Sequence, residues 1–168
     1  MQNTRNPLIF VVIESPIYNN LVVGFLKSRQ YKNLMTFNAG KECLEHLQLN
    51  PDMFICSYNM DDMNGLELMK KVKDELPETD FFFLSGQNDV EVAVNIMKRG
   101  AKDYIVKNDK ALTKLARSVD RVVNEAKSVK VKKGFKIGVV GFFIILFIII
   151  MIILGLAVLF PDEFSFTF

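Results

Sequence analysis

Four short apolar runs in this chain each end on a polar residue that could do chemistry. Glu14 follows Leu8 to Ile13, Ser57 follows Met53 to Cys56, Ser85 follows Phe81 to Leu84, and Lys107 follows Tyr104 to Val106. Asn59, Asp61 and Asp62 lie just behind Ser57 in a polar loop. A serine hydroxyl is a weak nucleophile unless an adjacent base activates it. The single histidine, His46, is placed far from Ser57, so the base to hand is Glu14, expected across the site. Mg²⁺ takes several hard oxygens. Glu14 at most would serve a metal here, so Mg²⁺ binding, where it occurs, is expected to be weak, and no other cofactor is expected. Lys107 is then expected to bridge to Glu14 or to Ser57. Asp61 and Asp62 read as solvated loop acids. Ser85 is expected to cap the following helix or satisfy its loop, and Tyr104 to be a half-buried packing residue. Cys43 and Cys56 lack metal-ligand spacing and read as reduced core residues. No catalytic set emerges, and enzymatic activity is not expected.

The elements that must position these groups follow from periodicity. Leu8 to Ile13 is a continuous apolar run of strand length, the pattern of a strand buried on both faces. Ser15-Pro16 reads as an N-cap and first helical residue. Ile17, Leu21 and Phe25, with Val22 and Leu26, make the core stripe of a first helix running to about Ser28. A short strand near Leu34 to Phe37 leads through Gly40 into a second helix, whose Cys43, Leu44 and Leu47 share a face until Asn50-Pro51-Asp52 breaks it. Met53 to Cys56 is the third strand. A third helix begins near Gly65 and stops at Leu76-Pro77. Phe81 to Leu84, then a helix bearing Val90, Val92, Ala93, Ile96 and Met97, then Tyr104 to Val106 and a helix over 110–127 complete the count. Gly100 is well placed just past the fourth helix. Strict β-α alternation implies a parallel sheet with helices on both faces. The chain is predicted to adopt an α/β, flavodoxin-like (βα)5 fold with strand order 2-1-3-4-5.

The segments PDMFICSYNMDDMNGLELMKKVK, FFFLSGQND, GAKDYIVKND and LIFVVIESPIY resemble those of bacterial response-regulator receiver domains of the chemotaxis-regulator kind. The resemblance covers about 6–126. It implies a role in two-component phosphorelay signalling, with two acids after strand 1 that bind Mg²⁺, an acceptor aspartate ending strand 3, a Ser or Thr ending strand 4, and a lysine and an aromatic on strand 5. Ser85, Tyr104 and Lys107 match that pattern, and Asn59 falls where a backbone carbonyl serves the metal. The acid pair is reduced to Ile13 and Glu14, and the acceptor position is Ser57. The prolines usual in the acceptor loop and after the lysine are Asp61 and Asn108. Phosphoryl transfer requires an ionised nucleophile held in line and a cation to neutralise developing charge. A degenerate receiver, or pseudo-receiver, is therefore expected: a protein-interaction module for a histidine kinase, another response regulator or a membrane complex. The alternative is a switch phosphorylated on a non-standard acceptor, Asp61, Asp62 or Ser57.

Composition is uneven along the 168 residues. Residues 137–160 carry no charge, and 19 of the 24 are Ile, Leu, Val or Phe. At about −0.3 to −0.6 kcal/mol for each, membrane insertion is favoured by about 6 to 11 kcal/mol. Residues 1–126 are nearly neutral, with 16 basic and 17 acidic side chains, whereas 127–136 hold five lysines. Asp162 and Glu163 follow the span. The positive-inside rule then puts the N-terminal part in the cytoplasm, on a single-pass, tail-anchored span of the cytoplasmic (inner) membrane. The first apolar run is too short for a signal peptide. The expected organisation is a tail at 1–6, a receiver-like domain at 7–127, a basic linker at 128–136, the span at 137–160 and an extracytoplasmic tail at 161–168. The lysines border a span instead of interleaving with aromatics, so nucleic acid is not an expected partner.

Overall fold

The computed structural model describes the backbone of residues 6–159 and the side chains of 6–125 and 142–152. Five strands alternate with five helices: β1 Ile9–Val12, α1 Pro16–Ser28, β2 Leu34–Phe37, α2 Gly40–Leu44, β3 Met53–Ser57, α3 Gly65–Glu75, β4 Asp80–Ser85, α4 Val90–Lys98, β5 Asp103–Val106 and α5 Ala111–Leu159. All strand pairs are parallel, in the order β2-β1-β3-β4-β5. The chain divides into two units, up to Asn124 and from Glu125.

Side chains of successive strand residues point to opposite faces, and here both faces are covered. Phe10, Val12, Phe54, Cys56, Phe81 and Phe83 pack against Cys43 of α2, Leu68, Met69 and Val72 of α3 and Ile96 of α4. The other face, with Ile9, Val11, Ile55, Phe82, Leu84 and Ile105, packs against Val22 and Leu26 of α1 and Leu115, Val119 and Val123 of α5. Aromatics knit the first face: Phe54 and Phe81 stack at 4.7 Å, and Phe10 meets Phe37 at 4.8 Å. Each such pair adds about 0.5–1.5 kcal/mol beyond its burial. Cys43 and Cys56 are free thiols within this core.

Helix ends are set by side chains. Ser15 caps α1, accepting from the Tyr18 N–H; Asn64 caps α3, accepting from Glu67; Asp89 caps α4, accepting from Glu91 and Val92. Gly100, at φ 94°, follows α4 in the left-handed region, where a side chain would be strained.

Two expectations need correction. The second helix does not reach Leu47: α2 ends at Leu44, and Leu47–Leu49 form a separate 3₁₀ turn that closes on Asn50 in the left-handed region. The Glu42 carbonyl is taken by His46 Nδ1 at 2.9 Å. The His46 N–H itself bonds back only three residues, to Cys43, which tightens the chain out of the α register. The first helix also buries a different stripe. Asn19, Val22 and Leu26 face the sheet, while Ile17 is 84% and Leu21 53% exposed.

Among the described residues, no helix is long and apolar enough to cross a membrane. Side chains of the expected linker, and of most of the expected span at 137–160, lie outside the described residues, as do the tails at 1–5 and 161–168.

Candidate functional site

Parallel register brings four polar strand ends to one edge of the sheet. Val12 lies beside Cys56, Ser57 beside Leu84, and Ser85 beside Val106. Residues 13–14, 57, 85 and 107 therefore gather at the carboxyl ends of the four strands, the usual site in open α/β sheets. The cluster was legible from element boundaries alone.

Within it the groups have different fates. Ile13 is fully buried in the α1/α5 face of the core; its N–H donates to Phe37 O, and its carbonyl accepts from Asn19 Nδ2 at 3.2 Å. It offers no oxygen from its side chain. Ser57 is buried. Gly65 closes over it, for a Cβ there would sit 2.6 Å from Ser57 O and 2.7 Å from the Phe83 ring. Asn59 is exposed in the loop.

The three acids also differ. Glu14 is exposed and lies in hydrogen-bonding reach of Asp61. That bond, with partial desolvation and the Asp61 charge, raises the Glu14 carboxyl above its ordinary range, while Lys107 pulls the other way. Asp62 is not the solvated acid expected. Its carboxylate accepts from the N–H groups of Gly40 at 3.1 Å and Lys41 at 2.7 Å. Burial pushes its pKa up, but the backbone donors of Lys41, Gly40, Asp62 and Met63 outweigh this and hold it below the usual value.

Lys107 is half-buried, and burial lowers its pKa against the opposing pull of Glu14. Neither expected bridge forms. Its Nζ stands over the Tyr18 ring at 4.7 Å, and among the described residues it makes no ion pair. With no carboxylate at Ser57, a cation–π contact of about 0.5–2 kcal/mol is the local alternative.

Ser85 Oγ accepts from the Gln87 N–H at 3.0 Å, so it satisfies its own loop and does not cap α4. The Tyr104 hydroxyl donates to the Gln87 carbonyl at 2.9 Å. Tyr104 is 8% exposed, more buried than expected. Both backbone groups of Gln87 are thus held, its N–H by the hydroxyl at the end of β4 and its carbonyl by the Tyr104 hydroxyl of β5. Gln87, Tyr18 and Asn19 were not singled out from sequence. Tyr18 could have been, because it stands three residues past a helix cap, on the turn nearest the strand ends. Among the described residues, no group of three His, Cys, Asp or Glu side chains could hold a metal ion.

Comparison with known proteins places this site in context. Residues 9–119 match the family described as the response regulator receiver domain. The chain belongs to the response-regulator receiver family. It is similar to the two-component response regulators ORR3 of Oryza sativa subsp. indica and ORR5 of Oryza sativa subsp. japonica. ORR3 is 31% identical over 105 residues, which cover 60% of this chain and 79% of the rice protein. ORR5 is 33% identical over 106 residues, covering 60% and 78%. Among solved structures, a response regulator receiver protein from Pseudomonas putida superposes with a TM-score of 0.62 at 27% identity, over 69% of this chain and 97% of the other. A signal receiver domain from Vibrio parahaemolyticus gives 0.67 at 19% identity, covering 75% and 96%, a likeness of fold alone. The receiver fold and its place in two-component signal transduction are thereby established for residues 9–119, and membership of the family implies partners such as histidine kinases.

Proposed function

We propose that this receiver is a pseudo-receiver: a membrane-tethered interaction module of a phosphorelay that docks a histidine kinase, another response regulator or a membrane complex without itself carrying phosphate. The observation that carries the reading is Ser57. It ends β3 as a buried neutral hydroxyl, Ile13 replaces an acid with a core side chain, and Lys107 turns to Tyr18. An ionised oxygen is missing where a transferred phosphoryl group would be received, and too few hard oxygens remain for Mg²⁺. The α4 face, with Val90 71%, Val94 46% and Met97 44% exposed, supports a role in protein contacts. The tether is supported by the charge-free run 137–160 and by the exposure of every described side chain in it from Phe142 to Ile152. The five lysines before it favour a cytoplasmic receiver on the inner membrane.

A second reading keeps phosphorylation but moves the acceptor. Asp62 is the weaker candidate, because its oxygens are engaged by two backbone N–H groups. Asp61 is exposed and beside Glu14, which favours it among the three. The deciding measurement is intact mass after incubation with acetyl phosphate and Mg²⁺. The pseudo-receiver reading expects no added phosphoryl group. An adduct that survives Ser57→Ala and disappears in Asp61→Asn would establish the second reading instead.

A further inference from the structure

Near-neutrality of the receiver hides a division of charge between its two helical layers. The layer formed by α2, α3 and α4 is mixed: residues 40–50, 64–78 and 89–99 carry 6 basic and 8 acidic side chains. The α1/α5 layer is not. Residues 15–33 hold Lys27, Arg29 and Lys32 and no carboxylate. Residues 110–124 hold four basic side chains and one acid, Asp120, between the flanking acids Asp109 and Glu125. Asp120 is already engaged, since it accepts from the Tyr31 hydroxyl at 2.6 Å, a bond that also ties the end of α1 to α5. Lys114 is paired with Asp103 at 3.3 Å. Lys27, Lys32, Arg117 and Arg121 are exposed and form no ion pair among the described residues. On the same layer Ile17 and Leu21, one helical turn apart, project outward at 84% and 53% exposure.

We propose that the outer face of the α1/α5 layer docks on an anionic lipid surface. Cations without an ion pair among the described residues, on a layer that also presents aliphatic side chains one turn apart, supply the two elements of an interfacial surface: the aliphatics enter the headgroup boundary and the cations meet lipid phosphates. Each cation near an anionic leaflet changes partitioning by about fivefold. The proposal rests on the membrane reading of 137–160 only for proximity, which raises the local concentration of lipid at the receiver.

The sequence contains no tryptophan, so Ile17→Trp in the full chain is a single reporter at a fully solvated position. The chain is placed in nanodiscs of phosphatidylcholine alone, or of phosphatidylcholine and phosphatidylserine at about three to one. Docking gives a blue-shifted emission, quenched by brominated lipid, in the phosphatidylserine discs only. Arg117→Glu with Arg121→Glu lowers the docked fraction at least about tenfold. Equal, unquenched emission in both discs overturns the proposal, as does an equal shift with a polyglutamate peptide and no lipid, which assigns the face to an acidic protein. Should the chain fail to enter discs, the span reading alone has failed. The same variants are then sedimented with phosphatidylserine vesicles: pelleting abolished by the two arginine reversals supports docking, and protein left in the supernatant overturns it.

Discussion

Asp62 is the acid of the β3–α3 loop that does structural work. Its two oxygens accept from the N–H groups of Gly40 and Lys41, at the start of a five-residue helix that has no side-chain cap of its own. Although burial opposes it, the set of backbone donors holds the carboxyl below its ordinary 3.8. A depressed carboxyl pKa stabilises the fold above the unfolded-state value, and the gain disappears as pH falls through the folded value. Asp62→Ala is therefore expected to cost about 1 kcal/mol at neutral pH, the usual worth of such a cap. In urea unfolding, the gap between wild type and variant should shrink as pH drops below the ordinary value of 3.8. A gap that persists unchanged into acid would show that packing, not the carboxylate charge, is at stake. Glu14 has the opposite sign: its interaction with the Asp61 carboxyl raises its pKa. None of this was legible from residue types. Asp61 and Asp62 are adjacent, and only the fold places one against Glu14 and the other against a helix start 22 residues upstream.

At the scale of elements, the start of α3 decides whether the loop after β3 can close. Gly65 donates its N–H to Tyr58 O at 2.7 Å, and a Cβ there would meet Ser57 O at 2.6 Å. That oxygen belongs to the backbone of the central β3 and cannot swing aside. Gly65→Ala should thus destabilise by about 1–3 kcal/mol, the range for overpacking a close-packed site, and displace the Ser57 carbonyl. Chemical denaturation and the amide shifts of 57–65 measure both, and a variant with wild-type stability would refute the close approach. The strands themselves were readable because a sheet covered on both faces writes an uninterrupted apolar run: β1, β3 and β4 are buried along almost their whole length. Helices were less so. In α1, apolar residues surround more than half the helix, so the 3.6-residue period does not single out one face. The sheet takes the stripe containing Asn19, whose amide reaches the Ile13 and Phe37 carbonyls, and leaves Ile17 and Leu21 outside. A buried asparagine chosen over an isoleucine reflects the bonds its amide makes to the backbone carbonyls of Ile13 and Phe37, which no hydropathy pattern registers. In the second helix the periodic Cys43, Leu44 and Leu47 are all inward or partly so, yet a 3₁₀ turn meets the same spacing as a continued α-helix.

For the whole molecule, the proposed tether can be tested by weighing its apolar gain against added charge. Insertion of 137–160 is favoured by about 6–11 kcal/mol, whereas Lys at the centre of a span costs about 2.5–3.5 kcal/mol. One such lysine leaves the balance favourable. Two at the midpoint, Ile148→Lys with Ile149→Lys, cost about 5–7 kcal/mol and forfeit about 1 kcal/mol of the two isoleucines, which cancels the lower bound of the gain. The wild-type chain and the single variant should therefore remain in the membrane pellet after carbonate extraction, and the double variant should be released more readily than either. Wild type found in the supernatant would remove the tether, leaving the receiver fold and its Ser57 chemistry untouched, since those depend on residues before Asn124. On the proposed tether, the five lysines between 127 and 136 would supply the orientation. Replacing them all with glutamine should leave carbonate resistance intact while mixing the topology, seen as partial protection of the receiver from protease added on the cytoplasmic side. Insertion is set by apolar area and orientation by charge, so the two substitutions separate causes that wild-type fractionation reports together.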